Sequence, residues 1–193
     1  PNPKPLWIFN FEFKKASALA EYLIKYGNTD RLNFVCGYDN TIYESEAIFI
    51  AVGTPQGNDG NADLQYIFKA VLAAAEYANP DCVFVIKSTV PPGTCKKVVY
   101  PIIKECLKSR NLSTDKIKVA HSYERVMPGP KYIDSIQNFY RVFSGVDEKS
   151  ATAAETFLRT VIKTDEYPLT QLGNTNATEM AKVLENSFRA MNI

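Results

Sequence analysis

Four short apolar runs, each leading into a loop, constrain this chain more than any other feature. They are residues 46–52 (EAIFIAV), 82–87 (CVFVIK), 117–120 (IKVA) and 140–144 (YRVFS). Runs that are apolar without alternation fit strands buried on both faces. Residues 33–36 and 167–170 read as further short strands. Helical spacing fills much of the remainder. Residues 12–26 place Ala16, Ala18, Leu19, Tyr22, Leu23 and Tyr26 on one stripe. Asp63 is positioned to cap an Ala-rich helix of about 14 residues. A helix runs from the Pro91-Pro92-Gly93 break to about Ser109, and Asp147 is placed to cap another over 148–162. Asn174 or Asn176 opens a last helix, with Glu179 spaced to complete a capping box from Asn176. That helix reaches Ile193 without a stop signal, so the chain is expected to be one piece of a longer protein. Strand–helix alternation of this kind predicts an α/β fold, a doubly wound parallel sheet with helices on both faces.

Composition narrows the partners. The 193 residues carry 22 Lys+Arg against 21 Asp+Glu, a formal net charge of +1. With no excess cation to neutralise phosphates, binding to nucleic acid by bulk charge is not expected. At 46% hydrophobic residues, there is enough apolar surface for a core. No apolar run approaches the roughly 18–20 residues that span a bilayer. The opening Pro-Asn-Pro-Lys-Pro is not a signal peptide. Cys36, Cys82, Cys95 and Cys106 are far apart, with no C-x-x-C. Reduced thiols in a cytoplasmic protein are expected, with no metal site.

Ligands of such sheets bind at the carboxyl ends of strands. Three loops there carry polar groups: Gly53-Thr54-Pro55-Gln56, Ser88-Thr89-Val90-Pro91-Pro92-Gly93-Thr94, and His121-Ser122-Tyr123-Glu124-Arg125-Val126-Met127-Pro128-Gly129. Thr54 and Thr89 can hydrogen-bond a ligand, and backbone N–H groups around Gly93 at a helix start suit an anion. Each loop taken alone reads better as a βα turn shaped by Thr and Pro, and three on one edge shift the balance modestly towards a site. Glu124 can accept a proton, although Glu124-Arg125 in isolation reads as a surface ion pair. Glu179, Lys182 and Asn186 share one helix face. An ammonium and an amide four residues apart can stabilise a developing oxyanion. The plainer alternative is a solvated face, with Met180, Val183, Leu184 and Ser187 forming the packing face. His121, the only histidine, reads as a structural group at a strand end. Cys95, close to a helix start and to Lys96 and Lys97, is also read as structural. No G-x-G-x-x-G occurs anywhere.

In combination these motifs are more specific. Ala51-Val52-Gly53-Thr54-Pro55 is followed by Asp63-Leu64, then Lys87-Ser88-Thr89-Val90-Pro91-Pro92-Gly93-Thr94. Glu124-Arg125-Val126-Met127-Pro128-Gly129 comes next, then Arg141-Val142 and Gly145, and last Glu179-Met180-Ala181-Lys182 with Asn186 and Arg189-Ala190. This order resembles the UDP-glucose/GDP-mannose dehydrogenase family over about residues 32–193. The E-R-V-x-P-G form looks like the UDP-N-acetylhexosamine branch, and Pro128 stands where the UDP-glucose branch carries a second Glu.

The resemblance implies a Rossmann-like NAD-binding domain over 32–171 and the start of a central helix over 172–193. Residues 1–31 stand apart as a helical segment that matches neither the family's opening strand nor its Gly-rich phosphate loop. It implies two-step, NAD-dependent oxidation at C6 of a UDP-sugar, a homo-oligomer, and a catalytic Cys that none of the four here matches. Thr54, Pro55, Ser88, Thr89 and Glu124 inherit cofactor positions. Glu124, Arg125, Val126, Lys182 and Asn186 inherit sugar positions. Glu124, Lys182, Asn186 and Thr89 inherit the chemistry. The isolated chain is expected to be inactive. The competing reading is a non-catalytic remnant or binding module of the same fold. A third, a hydroxyacid dehydrogenase with a similar Lys/Asn helix, is disfavoured by the K-S-T-V-P-P-G-T and E-R-V-x-P-G loops.

Overall fold

The structure, a computed structural model, describes residues 38–124 and 137–192, together with the backbone of two short strands at 6–9 and 32–35. These strands, β1 (Leu6–Phe9) and β2 (Leu32–Val35), pair in parallel with Leu6 opposite Leu32. The chain therefore does open with a strand, contrary to the sequence reading. Leu6-Trp7-Ile8-Phe9 is a four-residue run bounded by Pro5, too short to register by periodicity. The helix expected over 12–26 lies outside the described residues.

The main sheet has five strands in the order β3 (Ala47–Ile50), β4 (Val83–Ile86), β5 (Lys118–His121), β6 (Arg141–Gly145) and β7 (Leu169–Gln171). Helix α1 (Gln65–Ala75) links β3 to β4. A π-helical turn at Cys95–Val99, continuing as α2 (Tyr100–Ser109), links β4 to β5. Pairs β3–β4, β4–β5 and β6–β7 are parallel. The β5–β6 pair is antiparallel, with His121 opposite Ser144. The sheet is thus mostly parallel rather than wholly so, and this reversal shapes the site.

Both faces of the sheet are covered. Phe84, Ile86 and Val119 pack with Ile67, Val71, Ile103 and Leu107 of α1 and α2. The alternate residues Val83, Val85 and Ala120 face Ala154 of α3 (Glu148–Leu158). Period-two alternation across a sheet with apolar cover on both sides explains why β3 and β4 lack polar positions.

The caps depart from expectation in detail. Asp147 does cap α3, accepting from the Ser150 N–H at 2.9 Å, and the helix ends at Leu158 rather than 162. Asp63 sits just outside α1, which starts at Gln65. Its carboxylate accepts from the Gln65 N–H, while Leu64 takes the cap position. Helix α4 (Thr175–Met191) is capped by Asn174, whose side chain accepts from the Ala177 N–H. Glu179 forms no capping box with Asn176. It is fully buried.

Candidate active site

The loops after β3, β4 and β5 emerge together at the carboxyl edge of the sheet. Thr54 Oγ1 donates to the Thr89 carbonyl at 2.6 Å, and Ser88 Oγ donates to the Val52 carbonyl at 2.6 Å. These hydroxyls first knit the β3 and β4 loops together. Beside them lies an open groove of about 290 Å³, walled by Thr54, Thr89, Val90, Pro91, Pro92 and Val183. Pro55 is exposed next to it, and its carbonyl accepts from the Asp63 N–H at 2.7 Å.

Glu124 is engaged by cations at the ends of two other strands. Its Oε1 meets Lys87 Nζ at 3.0 Å and Arg141 Nη1 at 3.4 Å. Both cations are buried, with side chains only 6% and 3% exposed. The antiparallel turn of β6 explains the cluster. Lys87 closes β4 and Glu124 follows β5, so both lie at the carboxyl edge. Because β6 runs the other way, its first residue, Arg141, arrives at that same edge. Arg125 and Val126 lie outside the described residues.

Electrostatics follow from this packing. Burial, which alone would raise the Glu124 carboxyl, is outweighed by the Lys87 and Arg141 cations, and its pKa lies below the ordinary value. Desolvation lowers Lys87 to about 8, with Glu124 opposing and Arg141 adding to the fall. His121 is fully buried below this cluster, with Nε2 3.4 Å from the Ser88 carbonyl. Its Nδ1 finds no hydrogen-bond partner among the described residues. Burial lowers its pKa to about 4, aided by the Lys87 and Lys182 cations. It is therefore neutral near pH 7 and only weakly basic. The described thiols Cys82, Cys95 and Cys106 are free and buried. Desolvation first and the Glu179 carboxylate second push Cys95 well above the usual thiol value, so it is no ready nucleophile.

Helix α4 inverts the expected packing. Its buried face is polar: Thr175, Thr178 and Glu179. Thr178 Oγ1 lies 2.7 Å from Ser144 Oγ. Both Glu179 oxygens are engaged, Oε2 accepting from the Gly93 N–H at 2.5 Å and Oε1 from the Cys95 N–H at 2.8 Å. The amide cradle that the sequence suggests for a ligand anion is thus filled from within the chain. Met180 and Leu184, expected to pack, are exposed, as are Ser187, Phe188 and Met191. Lys182 is half-buried; its Nζ donates to the Glu124 carbonyl at 2.9 Å and stands 5.0 Å from the Tyr123 ring centroid. Asn186, one turn further, is exposed.

This constellation of a loop carboxylate, a helix lysine and a hydroxyl-lipped groove can be set beside known proteins. The sequence matches the UDP-glucose/GDP-mannose dehydrogenase family, NAD binding domain, over residues 15–162. The chain belongs to that family. It is 35% identical over 178 residues to the UDP-glucose 6-dehydrogenase of Rickettsia conorii, covering 91% of this chain and 38% of the relative. It is 36% identical over 149 residues to the UDP-N-acetyl-D-mannosamine dehydrogenase of Pyrococcus horikoshii, covering 77% of this chain and 34% of the relative. The solved structure of the UDP-D-ManNAc dehydrogenase from Pyrococcus horikoshii superposes with a TM-score of 0.75 at 28% identity, over 95% of this chain and 41% of that one. The chain therefore spans well under half the length of these relatives.

NAD is the cofactor of this family domain. The described residues suit part of it. An open groove with mostly apolar walls and two hydroxyls fits a flat ring with its ribose, and its volume is near the lower end for small-molecule sites. Pyrophosphate is a different matter, because Glu179 fills the amide cradle at Gly93 and the sequence has no G-x-G-x-x-G. Two further site residues, Lys87 and Arg141, escaped sequence reasoning as partners of Glu124. The signal that joins them is the direction of β6.

Proposed function

We propose that the protein carrying this chain oxidises C6 of a UDP-hexose or UDP-N-acetylhexosamine to the uronic acid in two NAD-dependent steps. The observation that supports this reading best is the 2.9 Å hydrogen bond from Lys182 Nζ to the Glu124 carbonyl, across 58 positions of sequence. It unites the carboxylate loop with the lysine helix, whose next residue, Val183, lines the Thr54–Thr89 groove. NAD, when bound there, supplies the hydride acceptor.

The residues then have distinct tasks. Thr54, Pro55, Ser88 and Thr89 form the wall against which the cofactor lies, with Ser88 acting mainly by holding the β3 and β4 loops together. Glu124, kept anionic by Lys87 and Arg141, accepts a hydrogen bond or proton from the sugar hydroxyl or an attacking water. The Lys182 ammonium has three donors, and one already fixes it to the Glu124 loop. It neutralises charge that develops on the sugar oxygen, with Asn186, on the same face one turn further along, as the second donor. Arg125 and Val126 contact the sugar. The E-R-V-x-P-G sequence favours a UDP-N-acetylhexosamine, and UDP-glucose is the alternative that the relatives also represent.

The exposed stripe of Met180, Leu184, Phe188 and Met191 on α4 serves a homo-oligomer interface. Among the described residues no helix is long and apolar enough to cross a membrane, and buried free thiols accord with a cytoplasmic setting. The test is reduction of NAD by the complete protein with UDP-N-acetylmannosamine, UDP-N-acetylglucosamine and UDP-glucose offered separately. Turnover of one of them at two NADH per sugar supports the reading. A folded protein that turns over none of the three refutes it.

A further inference from the structure

We propose that Glu179 is a positioning residue, one that sets the place of Lys182 by filling the amide cradle at Gly93 and Cys95. The inference rests on Lys182 having the role given above. The geometry is specific. Glu179 is fully buried, and among the described residues no lysine or arginine is ion-paired with it. An isolated buried carboxylate is costly unless hydrogen bonds to its charged form offset the lost hydration.

Here two backbone amides 84 and 86 positions away supply those bonds, one to each oxygen. Gly93 has φ +99°, a conformation that side chains rarely adopt. It turns its N–H, together with that of Cys95 at the head of the π turn and α2, toward a single carboxylate. The helix start is thereby provided with its anion.

The consequence falls on Lys182. It lies three residues beyond Glu179, on the same side of α4 and about one turn along. A helix anchored through both carboxylate oxygens is restrained in rotation and in sliding, and Thr178 to Ser144 adds a second fastening. Lys182 Nζ is thus delivered to the Glu124 carbonyl. Without the Glu179 anchor, the fully buried part of α4 is reduced to Thr175 and Thr178, since Met180, Leu184, Phe188 and Met191 are exposed. Small displacements of such a group are expensive, roughly 10²-fold in rate for 1 Å.

The test uses the complete protein carrying Glu179→Gln, Lys182→Ala or both, with two readouts. The first is acetylation of Lys182 by a small amine-directed reagent, followed by mass spectrometry, which needs no activity. The expected result is a rate roughly tenfold higher in Glu179→Gln than in the parent protein, because the local opening of α4 is no longer opposed. The second is kcat. Glu179→Gln should lower it, while the double variant should be no slower than Lys182→Ala alone, because Glu179 acts only through Lys182.

Unchanged labelling in a folded Glu179→Gln protein overturns the proposal, and so does a further rate loss in the double variant. If Glu179→Gln does not fold, Glu179→Asp, which keeps the charge but shortens the tether, is judged by the same labelling criterion. Failure of both to fold makes the carboxylate a folding determinant and also overturns the proposal. Faster Lys182 labelling with no turnover in the parent protein upholds the positioning role and refutes the dehydrogenase reading instead.

Discussion

Lys87 and Glu124 form a 3.0 Å ion pair in which the lysine side chain is only 6% exposed. Arg141 approaches the same carboxylate oxygen from β6 at 3.4 Å. Two buried cations on one carboxylate hold its pKa below the ordinary value in a place where burial alone would raise it. Lys87→Met should therefore raise the pKa of the Glu124 carboxyl, leaving Arg141 as its only cation among the described residues. Carbon NMR titration of that carboxyl in the parent and variant proteins checks this. If activity requires the carboxylate, the acid limb of the pH–rate profile must move upward with it. An unmoved carboxyl titration would mean that Arg141 alone sets the charge.

His121 makes the fold acid-sensitive. Its pKa is about 4 in the folded chain against 6.5 for an ordinary histidine. The unfolded state therefore binds more protons between these values, and stability falls as pH drops through that window. At 1.36 kcal/mol per unit, stability is expected to decline by about 2 kcal/mol between pH 7 and pH 5 from this group alone. Urea unfolding at the two pH values measures it. In His121→Asn the His121 part of the difference should vanish.

Gly145, at the end of β6, is a steric requirement. A Cβ there would lie 2.3 Å from the Ala151 N and 2.4 Å from the Asp147 carbonyl oxygen. Both are backbone atoms around the capped start of α3, so neither can swing aside. Gly145→Ala should destabilise by about 3 kcal/mol or more, at or above the usual range for overpacking. Gly53, with nothing within 4 Å of a Cβ, should accept alanine with little loss of stability. Thermal melts of the two variants separate them.

Much of the scaffold was legible because its causes are local. The apolar runs at 82–87 and 140–144 became β4 and β6, and Asp147 caps α3, since burial on both faces and capping leave marks within a few residues. Lys182 could be placed on a helix, and Glu124 at a strand end, for the same reason. What the sequence hid depends on distant partners. The face of α4 that packs is Thr175, Thr178 and Glu179, because Ser144 and the Gly93–Cys95 amides provide polar partners for it. Apolar periodicity alone points to Met180 and Leu184, which are exposed. Lys87, Glu124 and Arg141 meet only because β6 reverses direction, and nothing in the run YRVFS encodes direction.

The account turns on Lys182 standing at the Glu124 loop to serve the oxidation of a sugar alcohol. The most direct test is single-turnover NADH formation by the complete protein and by Lys182→Ala, with the preferred UDP-sugar saturating. A loss of roughly 10²-fold or more in the single-turnover rate, in the range for removing an oxyanion-stabilising group, is the predicted result. Lys182→Ala turning over at the parent rate would contradict the account.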